Sequence, residues 1–406
     1  MPTIRYWRRF AAAVVASVIA CNATPQAAAA APSPRTDEWW FRTWAVQSKI
    51  WPMTRGAGVT VAVIDSGVNA RLPELAHAVV PGVDLVDHST DGRVDLDTES
   101  PGHGTATAAQ ISGQGGGSSG YVGLAPEAKV LPIRISHSDG GQTPEAIKTA
   151  VDHGAKVINM SYGADATVMT PVHCSPDLAP AIGYALQHDV VLVASSGNEG
   201  AGSNWPSQPA SCPGVLAVGA VTKELHPWVQ TERQNYVTIA APGGDMRLLD
   251  KQGRMHNGAG TSSAAALTAA AVALIRAKNP AMPARTIIQR VLATARPVGS
   301  PGWNNRTGFG LLDISAAIDP VGHPVSATAP NPIYDAFERW QKQISSTSPT
   351  PKQLLQSPIA SNRAKKSTFL SSGTLWLIAG GGLAATLIGV VAIALILRSR
   401  NRFRRA

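Results

Sequence analysis

Four residues stand where chemistry could be done. Asp65 closes the apolar run GVTVAVID (58–65) and is followed by Ser66-Gly67. His103 sits between two glycines in ESPGHGTATAAQI. Asn198 ends VVLVASSGN (190–198), and Ser262 lies in GAGTSSAAAL, where a glycine-rich turn runs into an alanine-rich stretch. Singly, each has a plain structural reading: a turn aspartate, a loop histidine, a turn asparagine, a helix cap. Together they hold the parts of nucleophilic acyl transfer. A serine hydroxyl becomes a nucleophile when a neighbouring base takes its proton. A carboxylate orients that base and stabilises its positive charge. An asparagine side chain and a backbone N–H can then hold the oxyanion. Asp65, His103, Ser262 and Asn198 are the candidates for carboxylate, base, nucleophile and oxyanion donor.

Elements that could position them are legible. GVTVAVID, KVLPIRI (129–135), KVINMSYG (156–163), VVLVASSGN, VLAVGAV (215–221) and YVTIAAPG (236–243) are apolar runs without clean alternation. TPEAIKTAVDHGA (143–155) and LAPAIGYALQHD (178–189) have helical patterns. Strands of this kind, separated by helices, predict an α/β domain whose mostly parallel sheet is covered on both faces. Sites in such sheets gather beyond the carboxyl ends of the strands, where three of the four candidates lie.

In order, VAVIDSGV, GHGTATAAQI, VINMSYG, SSGNEG and GAGTSSAAAL resemble the signature blocks of subtilisin-like serine proteases. The Asp–His–Ser order and the separations of 38 and 159 residues match that family. The resemblance covers roughly residues 40–318 and implies a subtilisin-like three-layer domain with serine endopeptidase activity on a protein or peptide substrate. It implies a catalytic triad of Asp65, His103 and Ser262, with Asn198 in the oxyanion hole. Ser161, Tyr162 and Gly163 match the segment that pairs with the substrate backbone. Ser195, Ser196 and Gly197 match the wall of the primary specificity pocket. The sequence departs from the family at Ser263, usually a bulky residue, which predicts looser packing beside the nucleophile, and at Ala266, usually proline, which predicts a slightly altered seating of the serine by its helix. The outer architecture resembles the mycosins, membrane-anchored proteases associated with type VII secretion. That anchor and those departures also support a second reading, a scaffold component with dispensable proteolysis.

The outer architecture is built from the termini. Residues 1–31 combine Arg5, Arg8 and Arg9 with an eleven-residue apolar run and small residues, as in a secretory signal peptide. Cys21 after VIA also fits a lipoprotein signal. Residues 32–55 form an N-terminal extension carrying four tryptophans before a peptidase domain at 56–320. Residues 321–373, rich in Pro, Ser and Lys, have the composition of a flexible linker, although YDAFERWQKQI within them could form an amphipathic helix. Residues 374–397 carry no charge and are long enough for a transmembrane helix. The tail at 398–406 has five arginines, which places it in the cytoplasm and the domain outside the cell. Residues 1–31 carry +3, 321–373 carry +4 and the tail +5, leaving −3 of the net +9 for residues 32–320. The basic balance therefore belongs to targeting and anchoring, and no nucleic-acid partner follows from it.

Cys174 and Cys212 remain in the exported part, and an even pair there favours a disulfide over a metal site. Mycosins also staple loops with disulfides. No cofactor motif is found. DLDTES (95–100) is a weak calcium candidate against a solvated acidic loop.

Overall fold

The computed structural model describes residues 32–136, 141–166 and 173–347. The expected signal peptide with Cys21, the expected membrane span at 374–397, the basic tail and the expected linker beyond 347 lie outside them. Among the described residues, no helix is long and apolar enough to cross a membrane.

Eleven strands occur in these residues. They are β1 (Thr60–Asp65), β2 (Val83–Asp84), β3 (Lys129–Arg134), β4 (Val157–Met160), β5 (Ala164–Asp165), β6 (Val191–Ser195), β7 (Ser207–Gln208), β8 (Leu216–Val221), β9 (Val237–Pro242), β10 (Met246–Leu249) and β11 (Met255–Gly258). Seven form one sheet in the order β2-β3-β1-β4-β6-β8-β9, and every pairing in it is parallel. β5–β7 and β10–β11 are small antiparallel pairs.

The period-2 geometry of a strand explains the layers. In β1, Val61 and Val63 face one core, which they share with α2 (His103–Ser112) and α5 (Thr261–Lys278). Ala62 and Ile64 face the other, shared with α3 (Thr143–Asp152) and α4 (Leu178–Gln187). Both faces are buried, so the strands read as continuous apolar runs. Nearly every residue of α5 is buried, and its alanines let the helix lie close to the sheet.

The N-terminal extension, which carries α1 (Trp40–Thr43), closes over the first core. Trp39, Trp40, Phe41, Trp44 and Trp51 are buried there. Three of the four indoles meet an acceptor in the domain: Trp39 Nε1 donates to the Asp245 carbonyl at 3.2 Å, Trp44 Nε1 to that of Leu312 at 2.7 Å and Trp51 Nε1 to that of Leu124 at 3.0 Å. At the other end, α6 (Ala284–Ala293) and α7 (Ile314–Ile318) precede α8 (Pro332–Thr347). α8 falls inside the stretch expected to be linker and contains YDAFERWQKQI, the segment read there as able to form an amphipathic helix. Ile333, Tyr334, Phe337 and Trp340 lie on one helical face and are buried; Phe337 and Trp340 join the second core. An i, i+4, i+7 apolar spacing, unlike the Pro- and Ser-rich composition around it, is what folds this segment onto the domain. Cys174 and Cys212 form a disulfide at the edge of the same core.

Candidate active site

Asp65 is the last residue of β1 and wholly buried. His103 begins α2, and its Nδ1 lies 3.0 and 2.9 Å from the two Asp65 carboxylate oxygens. Two features bring them together. A Cβ on Gly104 would come within 2.1 Å of the Gly67 carbonyl oxygen, so only glycine lets the start of α2 approach the end of β1 this closely. The acidic stretch 95–100 then fastens the helix. Asp95 accepts from the Thr105 N–H at 3.0 Å, the Thr105 hydroxyl at 2.5 Å and the Ser66 hydroxyl at 3.0 Å. Asp97 accepts from the His103 N–H at 3.0 Å. These carboxylates neutralise N–H groups that the first helical turn cannot pair. The stretch is therefore not simply solvated: Asp95 is buried and both carboxylates are engaged by protein donors. Among the described residues, no group of His, Cys, Asp and Glu has the spacing to hold a metal ion.

Burial disfavours a charged His103, but the carboxylate of Asp65, backed by Asp97 and Asp95, outweighs it and pushes His103 up to about 9. With Nδ1 turned to Asp65, Nε2 is the proton-accepting nitrogen of the neutral ring. Hydrolysis that needs this ring neutral should gain kcat/KM as pH rises, with its inflection displaced above the ordinary 6.5 towards 9. An inflection at or below 6.5 in a kcat/KM–pH profile would count against the shift. The linkage to stability has the opposite slope. The folded value is raised, so the charged pair supports the fold fully below 6.5 and loses that support as pH rises through about 9.

Ser262 is the second residue of α5, whose N-cap is Gly260 with no side-chain capping bond. Neither Thr261 nor Ser262 thus serves as the expected cap. The Ser262 hydroxyl donates to the Ser161 carbonyl at 2.9 Å, and the Ser161 hydroxyl donates back to the Ser262 carbonyl at 2.9 Å. Asn159 Nδ2 holds the Ser161 hydroxyl at 2.8 Å. Ser263 and Ala266 are buried within α5.

Asn198 follows β6. Its Oδ1 accepts from both the Thr261 N–H (2.9 Å) and the Thr261 hydroxyl (2.8 Å), which fixes the orientation of the amide. Its Nδ2 therefore points the other way. The position that a Gly260 Cβ would occupy is 3.6 Å from that Nδ2 and 3.7 Å from the Ser262 backbone nitrogen. Two N–H donors converge on one small space at the positive end of a helix, as stabilisation of an oxyanion requires.

The other expected residues connect to the start of α5 through Ser161, bonded to Ser262, and Gly197, whose N–H donates to the Thr261 hydroxyl at 3.2 Å. Ser161 to Gly163 follow β4. Tyr162 is tied to α3 by a 3.0 Å hydroxyl contact with Thr143, and Gly163 is exposed. Ser195 ends β6, and its hydroxyl donates to the Tyr162 carbonyl at 3.5 Å, linking the two segments. Ser196 is buried, and Gly197 turns through φ 111°. Sequence reasoning missed Thr261, Asp95 and Asp97 as supports. Thr261 was visible as the middle of Gly-Thr-Ser, but its double bond to Asn198 spans 63 residues.

A model of the subtilase family matches residues 56–310. The chain belongs to the subtilase family. This subtilase is 33% identical over 331 residues to Mycosin-4 of Mycobacterium tuberculosis, covering 69% of each chain. Its fold matches the crystal structure of MycP1 with the N-terminal propeptide removed (TM-score 0.60, 30% identity, 69% of this chain and 97% of that one). It also matches the MycP3 protease from the type VII (ESX-3) secretion system (TM-score 0.57, 31% identity, 71% and 89%). The subtilase is a serine endopeptidase.

Proposed function

We propose that this subtilase is a membrane-anchored, extracytoplasmic protease of mycosin type that works with a type VII secretion machine and cleaves peptide bonds with Asp65, His103 and Ser262. The observation that carries the reading is the convergence of Asn198 Nδ2 and the Ser262 N–H on one space at the start of α5, and the Asp65–His103 pair at 2.9 Å supports it. His103 takes the hydroxyl proton as Ser262 attacks the scissile carbonyl. Asn198 Nδ2 and the Ser262 N–H receive the oxyanion. His103 returns the proton to the leaving amine, and water then hydrolyses the acyl-enzyme.

Ser161 to Gly163 pair with the substrate backbone, and Ser195 to Gly197 wall the pocket for the residue before the scissile bond. A hydroxyl has a single proton to donate, and here Ser262 gives it to the Ser161 carbonyl. A substrate N–H that takes over that carbonyl turns the Ser262 hydroxyl towards His103. Asn198→Ala removes one oxyanion donor and should lower kcat by about 10²–10³-fold with little change in KM, the magnitude known for this donor in a subtilisin. A KM effect alone would assign Asn198 to ground-state binding instead.

The reading is tested with a fluorophosphonate probe on the full chain in membranes. Wild type should label covalently and Ser262→Ala should not; equal labelling would remove Ser262 from the mechanism. In cells lacking the protein, failure of Ser262→Ala to restore type VII export would tie proteolysis to secretion. Full restoration would favour the scaffold role.

A further inference from the structure

A buried carboxylate and a tyrosine lie behind the two segments assigned to substrate binding, outside the roles given above. Tyr236 stands just before β9, and Glu232, four residues earlier, is 2% exposed. The Tyr236 hydroxyl is 2.7 Å from Glu232 Oε2. It also lies 3.1 Å from the Ser196 carbonyl and accepts from the Ser207 N–H at 2.9 Å. Those last two contacts lead to the two segments proposed to bind substrate. Ser196 is part of the wall after β6. Ser207 pairs with Asp165 in β5–β7, and its hydroxyl lies 2.0 Å from the position of a Gly163 Cβ. One phenol oxygen therefore spans from the Ser161–Gly163 side to the Ser195–Gly197 side.

Glu232 completes the brace. Its N–H donates to the Gly197 carbonyl at 3.2 Å, and its carboxylate packs so closely that a Cβ on Gly197 would come within 2.0 Å of Oε1. Gly197 is held from the other side by Thr261, whose hydroxyl accepts its N–H at 3.2 Å. Asn198 comes next in the chain. The turn that aims Asn198 is thus clamped between α5 in front and Glu232 behind.

We propose that Glu232 and Tyr236 are positioning residues for proteolysis: together they set the width of the pocket for the residue before the scissile bond and hold the turn that aims Asn198. This deepens the proteolytic reading and rests on it. A hydroxyl with three polar neighbours holds geometry that no apolar side chain could reproduce, and catalytic donors lose effect when displaced by fractions of an ångström.

The test compares wild type, Tyr236→Phe, Glu232→Gln and Glu232→Ala in the full-length protein. The substrates are peptides differing only in the residue before the scissile bond: Ala, Leu or Phe. Tyr236→Phe and Glu232→Ala should lower kcat/KM for the best peptide by about 30-fold, mainly in kcat, and shrink the spread of kcat/KM across the series by about tenfold. Glu232→Gln keeps the size and an acceptor for the hydroxyl, so it should stay within about threefold of wild type. An unchanged spread in Tyr236→Phe, or a uniform fall that follows a lowered melting temperature, would overturn the proposal. If Tyr236→Phe does not fold, the spread is read from Glu232→Ala, where no change has the same meaning. Absence of Ser262-dependent labelling in wild type would instead overturn the proteolytic reading itself.

Discussion

Ser262→Ala should lower kcat by about 10⁶-fold, the size of loss known for the nucleophile of a subtilisin, and His103→Ala should cost about as much. The informative variant is the double one. Nucleophile and base act as a unit: without Ser262 there is no proton for His103 to take, and without His103 the hydroxyl stays a poor nucleophile. The losses should therefore not multiply, and Ser262→Ala/His103→Ala should be no slower than either single variant within about threefold. A residual rate about 10³–10⁴ above the uncatalysed reaction should persist in all three, because Asn198 and the Ser262-position N–H still receive the oxyanion. Adding Asn198→Ala to Ser262→Ala should then remove part of that residue. Steady-state kinetics on one peptide substrate with rigorously purified variants reads these differences. Two single losses that multiply in the double variant would mean that Ser262 and His103 work independently.

Much of this arrangement was legible in the sequence because it depends on local pattern. β1, β4 and β6 are buried on both faces, so they appear as unbroken apolar runs, and their ends mark where Asp65, Ser161 and Asn198 fall. What stayed hidden depends on partners far along the chain. Asp95 looks like a loop acid until Thr105 and Ser66, 10 and 29 residues away, are seen donating to it. The tie between Asn198 and Thr261 spans 63 residues. Glu232 and Tyr236 carry no motif, and their role emerges only when Ser196 and Ser207 are brought to one hydroxyl. α8 was legible in part: YDAFERWQKQI has an amphipathic helical spacing, but proline and serine on either side gave the stretch the look of a linker, and the spacing does not say that Phe337 and Trp340 join the second core while Ile333 joins the first. Parity of cysteines, by contrast, needed no geometry, and the Cys174–Cys212 bond is present.

Asp65→Asn should lower kcat by about 10⁴-fold without unfolding the protein. Asp65 receives the His103 Nδ1 proton with two oxygens at 3.0 and 2.9 Å and also accepts the Ser66 N–H through Oδ1 at 2.8 Å. Asparagine keeps one oxygen for Ser66 but presents an amide N–H towards Nδ1. The ring then does best with Nδ1 as acceptor and its proton on Nε2, the tautomer that cannot take a proton from Ser262. Loss of the charge has a second consequence with a definite sign. The carboxylate is the main influence raising His103 against its burial, so without it the histidine falls from about 9 and the rising limb of kcat/KM moves to lower pH. The variant should therefore be slow at every pH yet reach its own plateau earlier than wild type. Nitrogen-15 chemical shifts of His103 would read the tautomer directly, and the pH profile would read the shift. A variant within tenfold of wild type would show that Asp65 does not orient His103, and a limb that stays in place would show that it does not set the histidine's charge.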